Sequence, residues 1–99
     1  MRMLMKVMLP VEPFNAFVRD GSAGAKIGRI LEEIRPEAAY FTEDEGKRCG
    51  ILIVDVPQPS RVPALAEPWF LTFNASVEFK IVMSPEDLKA AGLEKFAGK

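Results

Sequence analysis

The chain opens on an alternation. Met3, Met5, Val7 and Leu9 are interleaved with Arg2, Leu4, Lys6 and Met8, a period of two that predicts a strand over residues 2–9, closed by Pro10 and Pro13. From Phe14 to Ile34 the period changes. Ile27, Ile30, Leu31 and Ile34 recur at helical spacing, and Pro36 is a stop signal. "AAYFTE" and "RCGILIVDV" read as two strands joined by a hairpin turn at "DEGK". "PSRVPALAE" begins a second helix, with Ser60 expected as its N-cap and Pro68 expected to break it. "ASVEFKIVM" returns to period two, with Val77, Phe79, Ile81 and Met83 on one face and Ser76, Glu78, Lys80 and Val82 on the other. "SPEDL" is the clearest local signal: Ser84 caps, Pro85 takes the first helical position, and Glu86 and Asp87 face the positive end of the helix dipole. The helix it starts is expected to reach about Phe96.

This order, β-α-β-β-α-β with a C-terminal helix, predicts an α+β chain with a single ferredoxin-like domain over residues 1–99. Two helices would cover one face of a four-stranded antiparallel sheet. A short second helix that ends in "EPWF" and feeds directly into the last strand resembles the dimeric α+β barrel superfamily, which includes muconolactone isomerases and small cofactor-free monooxygenases. "RPEAAYFTEDEGKR", "ILIVDV" and "AEPWFLTFNASVEFKIVMSPEDL" are similar to an uncharacterised bacterial family within it. The resemblance covers nearly the whole chain and is structural, carrying no catalytic signature onto a named residue. It implies a homodimer, or a higher homo-oligomer, in which two sheets pack face to face, and it places ligands, when present, between each sheet and its helices. One feature strains it. Lys6, Glu78 and Lys80 lie on the face that would become the barrel interior, among Leu4, Met8 and Val82. Burying them costs desolvation unless they pair or meet water, so a wet, ion-paired patch is expected, with Lys6 able to reach Glu78 across neighbouring strands.

Composition narrows the partners. Apolar residues make up 48% of a 99-residue chain, more than so short a chain is expected to hide within itself, which again points to an oligomer interface. A formal charge of −1 gives no electrostatic reason for binding nucleic acid or an anionic membrane. With one cysteine, Cys49, and no histidine, neither a disulfide framework nor a transition-metal site is expected, and no cofactor is implied. "MRMLMKVMLP" is apolar enough to be weighed as a leader. Lys6, Pro10 and the lack of a small-residue cleavage site favour a buried strand instead. No run approaches the roughly 18 apolar residues of a membrane span, and the expected location is cytoplasmic by default. Two sibling readings of the same topology fail on residues, while a third, a regulatory amino-acid-binding domain, stays open. Ile51 and Ile53 stand where an RNA-recognition sheet needs rings, and "PVEPFN" lacks the glycine-rich anion loop of an acylphosphatase.

Two clusters carry the candidate chemistry. Phe17, Gly21, Gly24, Gly28 and Leu31 share one helical stripe, and each helix-interior glycine costs about 1 kcal/mol against alanine. Close packing, a helix break at "DGS" with Ser22 capping a new helix, or the roof of a cavity would each account for it. Trp69, Phe70 and Phe73 form an aromatic corner that would close the end of the core, or line that cavity if it exists. Asp55, near the end of the apolar strand "ILIVDV", would gain basicity if buried, and Tyr40 offers a phenol; these two are the weak catalytic candidates. The expected function is therefore an oligomeric α+β barrel that binds a small apolar or aromatic molecule between helices and sheet, at Phe17, Gly21, Gly24, Gly28, Trp69, Phe70 and Phe73. The alternatives are a cofactor-independent isomerase or monooxygenase, and a structural dimer module that docks a protein partner.

Overall fold

A computed structural model describes residues Met1–Lys99. Strand β1 (Arg2–Leu9) is followed by helices α1 (Val11–Arg19) and α2 (Ala23–Ile34), and a hairpin of β2 (Ala38–Asp44) and β3 (Lys47–Asp55) comes next. A 3-10 turn (Pro59–Arg61) leads into α3 (Val62–Phe73), β4 (Ser76–Ile81) and α4 (Pro85–Ala90), and a second 3-10 turn covers Leu93–Phe96. The strands form one antiparallel sheet in the order β2-β3-β1-β4, which is the ferredoxin-like plan.

Parity fixes the two faces. Met5, Val7 and Leu9 of β1 and Leu52 and Val54 of β3 point to one side and are buried beneath the helices. Phe14, Ile30, Ile34, Leu65, Trp69 and Phe73 close that core from the helical layer. The other side of the sheet carries Leu4, Lys6 and Met8 of β1, which are only half-buried. The hairpin turn is built from Glu45 (φ 53°) and Gly46 (φ 75°), two left-handed residues in the pattern that matches strand twist.

Four boundaries differ from the sequence reading, each for a local reason. The segment from Phe14 to Ile34 is two helices. α1 ends in a Schellman motif, in which Gly21 takes φ 81°, its N–H donates to Val18, and the Ser22 N–H donates to Phe17. The Ser22 N–H also donates to the Asp20 carboxylate at 2.8 Å. The break at "DGS" is therefore present, but Ser22 does not cap α2 with its side chain, whose hydroxyl is buried without a partner. Pro68 does not stop α3, which runs through it to Asn74, a left-handed C-cap (φ 55°) whose N–H donates to Phe70. A proline inside a helix removes one bond to the residue four back, and the packing of Leu65, Trp69 and Phe73 outweighs that loss. Ser60 lies within the 3-10 turn, and α3 begins without a side-chain cap. The final helix is short: α4 stops at Ala90, and Gly92 (φ 68°) turns the chain into the 3-10 turn before Phe96.

Candidate functional site

The aromatic corner is solid. Trp69 and Phe73 are both 0% exposed, with ring centroids 6.1 Å apart. Phe14 stacks on Phe73 at 5.2 Å, and Phe17 meets Phe73 edge-on at 5.9 Å. These rings fill the layer between helices and sheet at this end of the molecule. The Trp69 indole N–H is buried without an acceptor, so shape and apolar area hold the ring in place rather than a hydrogen bond. Phe70, one residue on, faces outward.

Of the seven residues read as a ligand-binding set, the structure joins Phe17, Trp69 and Phe73. It sets Gly21, Gly24 and Gly28 apart from them. A Cβ added to any of the three glycines would meet no atom within 4 Å, so these positions face open space and their missing side chains make room for no ring. The helical stripe drawn through Gly21 does not exist, because that glycine ends α1.

The catalytic candidates are separated as well. Asp55 is exposed, and its carboxylate accepts from the N-terminal ammonium at 3.2 Å. Tyr40 is 68% exposed and sits opposite Ile51, four residues before Asp55 along β3, a separation of roughly 13 Å. Cys49 is buried, and burial pushes its thiol above the ordinary range, with Asp44 adding to that and Lys6 opposing it. A thiol held protonated in this way is a sheet residue rather than a nucleophile.

Two surfaces remain. The first is a cleft of about 300 Å³ between the helices and the β2–β3 hairpin, with Phe14, Ile27, Phe41, Arg48 and Cys49 among its lining. Arg48 shares the helix side of the sheet with Leu52, and its guanidinium sits 4.5 Å from the Phe14 ring while Nη1 donates to Asn15 Oδ1 at 2.8 Å. Phe41 lies over Gly50, where a Cβ would come within 3.1 Å of the ring, so the bare backbone at Gly50 is what lets the ring lie flat. Sequence reasoning left this cleft out. The signal was the parity of β3, which places Arg48 on the helix side two steps beyond Gly50.

The second is the open sheet face. Leu4 lies opposite Ile53, and Lys6 opposite Ile51, giving an apolar strip along the two central strands. Lys6 also lies opposite Glu78 on its other side, as the sequence implied, but its ammonium pairs with the Asp44 carboxylate. That hydrogen bond, with smaller help from the charge of Glu78, holds Lys6 above its ordinary 10.5. The lysine of the central strands is therefore already paired within one chain, while Glu78 and Lys80 on β4 stay exposed and form no ion pair.

Neither a family model nor a curated protein matches the chain. Its assignment stays at the level of the fold, a small α+β domain with a four-stranded antiparallel sheet. No helix is long and apolar enough to cross a membrane, and no group of three or more histidine, cysteine or acidic side chains converges as a metal site would need.

Proposed function

We propose that this protein is a self-associating module whose open sheet face is covered by a second copy of the chain, as in the dimeric α+β barrels its sequence resembles. The observation that carries this reading is the strip of Leu4, Met8, Ile51 and Ile53, half-exposed on the two central strands, with Lys6 neutralised beside it by Asp44. An antiparallel sheet tolerates water on one face when that face is polar; here the centre is aliphatic. Pairing Lys6 within its own chain lowers the desolvation cost that a buried lysine would impose on an interface. Ile53→Glu places a charge in the strip without touching the helix-side core. It is expected to convert the dimer to a folded monomer, read by light scattering on a sizing column. A wild-type chain that runs as a monomer contradicts the reading.

The cleft at Phe14, Phe41 and Arg48 supports a second reading, in which each copy binds a small apolar or aromatic molecule between helices and sheet. Its volume of about 300 Å³ stands at the lower bound for small-molecule pockets, and a guanidinium at its mouth suits a ligand with an apolar body and an anionic group. Native mass spectrometry of freshly purified protein is expected to show a bound mass that Arg48→Met reduces. Protein free of bound mass that also takes up no aromatic carboxylate on titration removes this reading.

A further inference from the structure

From Pro85 to Lys99 every residue is exposed except the half-buried Gly92. This arm is nonetheless ordered. Ser84 and Asp87 form a complete capping box, with the Ser84 N–H donating to Asp87 Oδ2 at 2.9 Å and the Asp87 N–H donating to Ser84 Oγ at 3.1 Å. A six-residue helix is far below the roughly 12–15 residues at which an isolated helix becomes even marginal in water. Its own domain buries none of these side chains, so a second surface packed against them would stabilise it.

The shape of the molecule gives the same message in area. The radius of gyration is 16.6 Å, against about 13 Å for a compact domain of this length. The accessible surface is 6674 Å², against about 5600 Å² for a compact monomer of 11.0 kDa. The excess of about 1000 Å² is close to the ~800 Å² that one partner contributes to a standard interface. The arm also displays Leu88, Leu93 and Phe96, the last 56% exposed.

The same chain holds a surface short of a cover. β2 is an edge strand that bears Tyr40 and Phe41, both exposed, and an uncapped aromatic edge is a template for unwanted pairing. Two sheets stacked by a twofold axis parallel to their strands bring the β4 edge of one copy over the β2 edge of the other. The arm leaves directly after β4. One symmetric pairing therefore supplies both needs twice over, which is the economy of an isologous interface.

We propose that the arm Ser84–Lys99 of one copy packs across the β2 edge of a second copy, seating Leu88, Leu93 and Phe96 against Tyr40, which shares the open sheet face with Ile51. This rests on the reading of the sheet face as a self-association surface and adds the clasp that holds it. The test places a photo-reactive benzoylphenylalanine at Phe96 in the full chain and irradiates a mixture of nitrogen-14 and nitrogen-15 copies. Cross-links are expected between differently labelled copies, in the peptide that contains Tyr40 and Phe41. In parallel, the full-chain variant Leu93→Glu/Phe96→Glu, altered only at exposed positions, is expected to raise the dimer dissociation constant by about tenfold or more. Cross-links confined to one copy, or directed to another surface of the second, overturn the clasp, as does a dimer that the double variant leaves unchanged. In each of those cases the face-to-face dimer still stands. A monomeric wild-type chain overturns both.

Discussion

Gly28 sits in the interior of α2 with open space where its side chain would be. Glycine there offers no close approach to justify its entropy, so Gly28→Ala is expected to stabilise the fold by about 0.5–1 kcal/mol. A shifted denaturation midpoint at unchanged slope would show it; a loss of stability would mean that the helix face is in contact after all. Asp87 makes a second residue-scale prediction. The Ser84 backbone N–H foremost, then its side chain, holds the Asp87 carboxyl below its ordinary 3.8. A carboxyl depressed on folding contributes stability that is complete above its unfolded value and lost as pH falls through the lower folded one. The Ser84–Asp87 capping box should thus persist between pH 7 and 5 and open only below about 3.8. Amide shifts of Ser84 and Asp87 followed by NMR would check this, and a transition centred above that value would contradict the capping geometry.

At the scale of elements, α3 is held by one face. Trp69→Ala removes a fully buried ring that stacks on Phe73 and is expected to cost about 3–5 kcal/mol. Phe70→Ala, on the outward side of the same turn, should cost clearly less, and comparable losses in urea denaturation would show that the rings do not divide as described. The same helix shows where sequence reading succeeds and where it stops. Period-two runs over β1 and β4 are legible because alternate residues turn toward the helices, β3 is legible as an apolar run behind a turn signal, and "SPEDL" is legible because a capping box is local. Pro68 misleads, since the cost of a proline is local while the burial that overrides it, at Leu65, Trp69 and Phe73, is tertiary. Gly21 misleads for the opposite reason: a helical wheel assumes one continuous helix, and the Schellman turn at Asp20–Ser22 resets it. The cleft escaped notice because Phe14, Phe41 and Arg48 come from three elements and share no motif. α4 ends short of Phe96 because Gly92, one residue past the C-cap Ala91, takes φ 68°, a stop that the glycine itself signals and that the reading to Phe96 passes over.

At the scale of the molecule, the fold leaves two things unfinished: an aliphatic strip on the uncovered side of the sheet, and a C-terminal arm whose side chains from Pro85 onward are all exposed. Both are surfaces of one chain, which is why a second copy is the simplest partner for each. Lys6 and Asp44 fit this account, because a charge at the centre of an interface needs its partner before the interface forms. The most direct measurement is the solution mass of the wild-type chain by sedimentation equilibrium, run beside Ile53→Glu. The account predicts twice the 11.0 kDa chain mass for the wild type and the single chain mass for a still-folded Ile53→Glu. A wild-type chain that sediments at 11.0 kDa across the accessible concentration range would contradict it.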